Sequence, residues 1–228
     1  MKLHFFGCGS AFNPSMGNTS AWFESDGCLF LIDCGETVYE LLMKRSDLRE
    51  YRQVYVLLTH LHADHVGSLG SLISYNYCML GRRICVVHPR HTVVELLRLM
   101  GIKDSFYDYR EELPEEAEGI KAEALPVKHV DNMDCFGYLL ESEGEKIYYS
   151  GDSAGLPERI GKMLRAGELD ALYQDTSLHD SPEPSHCYLG RLEEAVPGEY
   201  RDKVFCMHLD GECGEMLKEK GFGVVKVG

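Results

Sequence analysis

The 228-residue sequence predicts an α/β protein made of two mixed sheets, each covered on its outer side by helices. Strand patterns come first in hairpin order and later alternate with helix patterns, which suits two covered sheets better than one open parallel sheet. A hydrophobic content of 44% and a charged content of 26% are those of a globular chain long enough to bury a full core. No internal repeat, low-complexity tract or linker interrupts the pattern, so residues 1–228 are expected to form one domain.

Taken in order, Lys2 to Phe6 reads as a first strand that ends in the glycine turn Gly7, Cys8, Gly9. The string GCGSAF imitates a dinucleotide-binding loop, but Phe12 stands where the third glycine belongs and no helix pattern follows. Thr19 to Glu24 and Cys28 to Asp33, on either side of Ser25, Asp26 and Gly27, read as a hairpin. Glu36 to Lys44 carries Val38, Leu41 and Leu42 at helical spacing, and the apolar run Val54 to Leu58 reads as a buried strand. Val66 to Leu80 is expected to be helix, Arg83 to His88 strand and His91 to Met100 helix. Five Glu between Arg110 and Gly119 mark a solvated loop. Lys121 to Val127, Phe136 to Ser142 and Lys146 to Ser150 read as strands, the last two joined by a turn at Glu143 to Glu145. Leu156 to Ala166 is helical, Ala171 to Asp175 a strand, Tyr188 to Ala195 a helix, Val204 to His208 a strand, Glu212 to Glu219 a helix and Gly223 to Val227 a closing strand.

The chemistry concentrates in THLHADHVG, Thr59 to Gly67. Along extended backbone His60 and His62 point the same way while Leu61 points back into the protein, and Asp64 and His65 follow as the chain turns, with Gly67 allowing the turn. One His near a strand end is usually an ordinary hydrogen-bonded residue, but three His and an Asp within six positions form two pairs of metal donors. A two-metal site needs further ligands at strand ends, and His129, Asp152 and His208 are so placed. Singly they read as a loop His, a helix cap and a core His. Together they complete a site with one metal on His60, His62 and His129, a second on Asp64, His65 and His208, and Asp152 bridging them. Two divalent ions, zinc by the donor set with manganese or iron also suited, would share a hydroxide as nucleophile. Asp64, Asp175 and His186 are the expected catalytic side chains, with Asp175 holding one ring nitrogen of His186 while the other protonates a leaving group. His179 is a rival donor, and the prolines at 182 and 184 also permit His186 to be an exposed loop residue.

Lys+Arg number 23 against 37 Asp+Glu, a formal charge of −14 that disfavours a long nucleic acid, whose phosphates need a basic face. No apolar run approaches the ~20 residues of a membrane span, and the N-terminus lacks a signal-peptide layout. Nine scattered Cys, none in a CxxC pair, read as reduced cytoplasmic thiols, most of them core hydrophobes, although Cys206 lies two positions before His208. A competing reading is a serine nucleophile elbow at GDSAG, Gly151 to Gly155, with Asp175 and His186 completing a triad in chain order. It leaves the histidine cluster without a role.

Nearly the whole chain resembles the metallo-β-lactamase superfamily, and within it the branch of ribonuclease Z and related small phosphodiesterases. GCGSAFNPSMGNTSAWF is similar to that branch's opening, LIDCGE to its DCGE turn, THLHADHVG to the superfamily signature and YQDTS to its HEAT segment, with Asp175 in place of Glu. The resemblance implies an αββα four-layer sandwich, the remaining ligands at His129, Asp152 and His208, and His186 as the proton donor; it also implies dimers. Ribonuclease Z carries a tRNA-gripping arm between the third His ligand and the bridging Asp, which in this chain are only 23 positions apart, the interval filled by two strands and a turn. The implied substrate is a small phosphodiester, such as a cyclic nucleotide or cyclic sugar phosphate. A lactonase or other carboxylic ester hydrolase, a tRNA 3′-end endonuclease and a non-catalytic metal-binding module are the alternatives.

Overall fold

A computed structural model describes residues 1–228. Two six-stranded sheets pack face to face, with helices on both outer sides, giving the four-layer αββα sandwich. The first sheet takes β1 (His4–Gly7), β2 (Ser20–Ser25), β3 (Cys28–Ile32), β4 (Gln53–Leu57), β5 (Ile84–Val87) and β6 (Tyr107–Arg110) in that spatial order. The second takes β7 (Ile120–Val127), β8 (Cys135–Ser142), β9 (Glu145–Tyr149), β10 (Ala171–Asp175), β11 (Val204–Met207) and β12 (Gly223–Val224). In each sheet the first three strands pair antiparallel and the rest parallel. The parallel crossovers carry α1 (Val38–Arg45), α2 (Ala63–Val66), α3 (Leu69–Leu80) and α4 (Thr92–Leu99) in the first half, and α5 (Glu158–Arg165), α6 (Leu189–Ala195) and α7 (Gly214–Glu219) in the second.

The two-residue period of a strand divides the core into layers. In β3, Phe30 and Ile32 face the other sheet, where Phe5, Tyr55, Tyr138, Tyr149 and Tyr173 also lie, while Leu29 and Leu31 lie beneath the first set of helices with Leu42, Leu72 and Leu97. Both faces are covered, so all five β3 residues are buried and the segment reads as a continuous apolar run. A third layer, with Ile160, Leu164, Leu192 and Leu217, seals the second sheet beneath α5, α6 and α7. No helix is long and apolar enough to cross a membrane.

Several sequence expectations change. Tyr107–Arg110 forms an edge strand where the sequence pattern assigns no element before the loop that starts at Arg110, its YDYR short and half polar. The two halves repeat one order, three antiparallel strands and then parallel strands with helical crossovers, although no repeat is visible in the residues. His60 and His62 lie on the loop beyond β4 rather than on the strand, and Asp64 and His65 belong to the short helix α2. His208 follows β11 in the left-handed region, with φ of 55°.

Gly67 does not serve as a flexible turn: its φ is −57°, and it is glycine because a Cβ would meet the Ala63 carbonyl and Glu36. Gly35 is tighter still. Its Cβ would fall on the carbonyl of Asp64, where the turn after β3 is laced to α2 by Cys34 N–H to the His65 carbonyl at 2.7 Å and Ser68 Oγ to the Gly35 carbonyl at 2.5 Å. Gly35→Ala is therefore expected to destabilise the fold by about 1–3 kcal/mol in denaturant melts. Gly198→Ala, where nothing lies within 4 Å, should stay within about 0.5 kcal/mol of the parent.

Candidate metal centre

The ends of β4, β9, β10 and β11 and the loop after β7 converge on one edge of the sandwich, and every residue singled out there by the sequence meets at this edge. Two groups of potential ligands form. His60, His62, His129 and Asp152 make one, and Asp64, His65, Asp152 and His208 the other; within each, the donor atoms lie within 4.8 Å of one another. Asp152 belongs to both. The first-half and second-half sheets contribute to each group, so the pair spans the seam between them.

Ring tautomers are fixed from outside. His129 Nδ1–H donates to the Ser185 carbonyl at 2.8 Å, which leaves Nε2 as a bare lone pair. Asp33, fully buried and at φ of 65°, accepts from Thr59 N–H and Thr59 Oγ1–H, both at 2.8 Å, and from His65 Nδ1 at 2.8 Å. With its proton committed to Asp33, the Thr59 hydroxyl accepts from His60 Nδ1 at 3.1 Å. His60 and His129 thus both aim an unprotonated Nε2 at His62 Nδ1, at 3.0 and 3.3 Å, and that nitrogen can satisfy only one of them.

In the second group His65 Nε2 stands 3.3 Å from Asp64 Oδ2 and from Asp152 Oδ1, and His208 Nε2 stands 3.3 Å from Oδ2 of both carboxylates. His65 Nε2 and Asp152 Oδ1 are buried without an aligned hydrogen bond. Burial opposes charge on Asp64 and Asp152, yet the neighbouring imidazoles hold both carboxyls below the usual range. Burial likewise opposes charge on His65 and His208, but the carboxylates lift both, His208 to about 10. Burial, with no carboxylate close enough to outweigh it, pulls His60 and His129 down. His60 and His129 therefore offer neutral nitrogen, while Asp64, Asp152, His65 and His208 combine acid with proton-bearing nitrogen, the donor chemistry that two borderline divalent cations satisfy by displacing protons.

Asp175 joins a third group with Asp152, His186 and His208. Its Oδ2 accepts from Ser153 N–H at 2.9 Å and from His186 Nδ1 at 2.8 Å, and its Oδ1 lies 3.6 Å from His208 Nδ1. Burial lowers the His186 pKa, but the bond to Asp175 and its charge outweigh this and leave it raised. His179 has no such partner: its side chain is 86% exposed and 3.8 Å from Asp210. The elbow reading of GDSAG does not survive, because Ser153 is buried and its Oγ donates to the Gly155 carbonyl at 2.7 Å. Cys206 is a core side chain.

Sequence reasoning passed over Asp33, Thr59 and the Ser185 carbonyl, which aim the rings. The signal was present in LIDCGE, an aspartate directly behind an apolar strand and ahead of a glycine that touches α2. Asp33→Ala is expected to weaken metal affinity about 10- to 100-fold, measured by competition with a chromogenic chelator.

Above the two groups opens a cavity of about 820 Å³, lined by four carboxylates (Glu36, Asp64, Asp152 and Asp210) and by no Lys or Arg.

The model of the family described as anti-Pycsar protein Apyc1 matches residues 1–226. A protein of that description from Bacillus phage 010DV004 is 32% identical over 247 aligned residues, covering 97% of this chain and 93% of the relative. Among solved structures, the metallo-β-lactamase fold protein YhfI from Bacillus subtilis superposes with a TM-score of 0.74 at 18% identity, covering 99% of this chain and 95% of that one. The short form of human tRNase Z superposes with a TM-score of 0.69 at 20% identity, covering 92% and 93%. A metal-dependent hydrolase with the metallo-β-lactamase fold, the chain belongs to the anti-Pycsar protein Apyc1 family.

Proposed function

We propose that the chain hydrolyses a small phosphodiester, a nucleoside cyclic phosphate or a cyclic sugar phosphate, at the edge where the two ligand groups meet. The observation that carries this reading is the pair Asp175 and His186 beside those groups. His186 lines the cavity, its Nδ1 is engaged by Asp175 at 2.8 Å, and Nε2 is the nitrogen left for a substrate. Phosphodiester hydrolysis with an alkoxide leaving group needs a proton delivered to the departing oxygen, and a His kept protonated by a buried carboxylate supplies it. Asp175 acts through His186 and, at longer range, steadies His208.

His60, His62 and His129 would hold one cation and Asp64, His65 and His208 the other, with Asp152 shared; the nitrogen-rich donor set suits zinc. When bound, the two cations supply Lewis acidity for the phosphoryl oxygens and for a water molecule. The chain's own part is to aim the rings through Asp33, Thr59 and Ser185, to carry the proton on His186, and to keep the floor of the cavity walled by buried side chains.

Two further observations favour a small substrate. The 22 positions between His129 and Asp152 are taken up mostly by β8 and β9, both integral to the second sheet. The absence of any Lys or Arg among the cavity-lining residues suits a singly charged diester better than a polyphosphate chain.

His186→Ala is expected to lower turnover about 10²- to 10⁴-fold on diesters with alkoxide leaving groups and much less on p-nitrophenyl esters; equal losses on both would count against the proton-donor role. Asp152→Ala should abolish turnover and reduce the metal content found by elemental analysis, while Ser153→Ala leaves both in place.

A further inference from the structure

We propose that Phe12 is the surface on which the substrate's nucleobase stacks, which makes it a positioning and specificity-determining side chain for base-bearing cyclic phosphodiesters. The inference rests on the phosphodiesterase reading above and adds the means of recognising what lies beyond the phosphate.

Phe12 is 98% exposed, the most exposed large apolar side chain in the protein, and it lines the same cavity as His62, Asp64 and His186. Leaving a Phe in water forgoes the benefit of burying it, so its place at the mouth of a functional cavity calls for a partner. The backbone beneath it is well anchored. Asn13 N–H bonds the Ser10 carbonyl at 3.0 Å and closes a turn with Ala11 and Phe12 at its tip. Ser10 N–H then bonds the Leu209 carbonyl at 3.0 Å, Leu209 N–H bonds the Cys8 carbonyl at 2.7 Å, and Asn13 Nδ2 reaches the same Leu209 carbonyl at 3.4 Å. Thr19 Oγ1 ties the Gly9 carbonyl, at 3.0 Å, to His208 N–H, at 3.1 Å. The aromatic ring is therefore carried on a pedestal bonded to the segment that presents His208, at a fixed remove from the reacting phosphate.

The chemistry of the cavity restricts what such a ring meets. At about 820 Å³ the space is that of an organic ligand rather than of a bare phosphodiester. With no cationic side chain in the lining, the part of the substrate beyond the phosphate is held without ion pairs, and a planar, uncharged base on a phenyl face is the contact that needs none. A phenyl ring loses few rotamers on contact, and stacking is tolerant of base identity.

The test uses the metal-loaded protein with two substrates, a nucleoside 3′,5′-cyclic phosphate and the corresponding ribose cyclic phosphate lacking the base. Phe12→Ala is expected to raise KM for the nucleotide by about 5- to 100-fold with kcat little changed, and to leave KM for the base-free compound unaltered. Phe12→Tyr should restore the parental KM, and neither variant should shift Tm, since the side chain buries nothing. Equal KM changes on both substrates, or no change on either, overturn the stacking role while the phosphodiesterase reading stands. Equal losses accompanied by a change in sedimentation assign Phe12 to contact between copies of the chain and also overturn it. A parent protein that turns over neither substrate removes the phosphodiesterase reading and the stacking role with it.

Discussion

A carboxylate sunk among imidazoles at the seam of two sheets is the constraint on which this molecule turns. Asp152 is 3% exposed and lies within 4 Å of His60, His65, His129, His186 and His208. Taking such a charge out of water costs several kcal/mol unless it is matched, and here the matching groups come from both halves of the chain. The seam must therefore close with β4 and α2 on one side and β9, β10 and β11 on the other in a single register. The close approaches of Gly35 to the Asp64 carbonyl and of Gly67 to Glu36 are part of that closure, because a Cβ at either position would force α2 and the turn after β3 apart.

Much of this was legible in the residues, and the reasons are specific. A continuous apolar run such as CLFLI announces a strand covered on both faces, and Ala171–Asp175 begins and ends where its strand pattern does. The candidate ligand cluster is legible because folding alone rarely calls for three imidazoles and a carboxylate in six positions. Asp33 is a different case: an aspartate in a turn has the same local pattern whether it caps a helix or orients a ring 32 positions away, and only the closed seam distinguishes the two. His186 and His179 are likewise indistinguishable along the chain, and it is the direction of Asp175 from the end of β10 that separates them.

The repeated topology explains another gap. Each half builds its strands in the same order, so His88 follows β5 as His208 follows β11. His88 is equally buried, but it turns its Nδ1 to its own loop at Arg90 and is drawn down by burial instead of up by carboxylates. Equivalent backbone positions have acquired opposite electrostatic characters. A repeat held in strand order while the side chains diverge leaves no trace in residue identity.

The scarcity of cations around the cavity bears on how a catalytic cycle ends. On the proposed reading a phosphodiester would enter with one negative charge, and the monoester produced from it would carry nearly two at neutral pH. Glu36 and Asp210 at the lining would then repel such a product more strongly than such a substrate, with no basic side chain in the lining to offset them. An acidic wall of this kind would bias the mouth of the site toward outward traffic, so that clearance of the more highly charged spent ligand would follow from the lining itself.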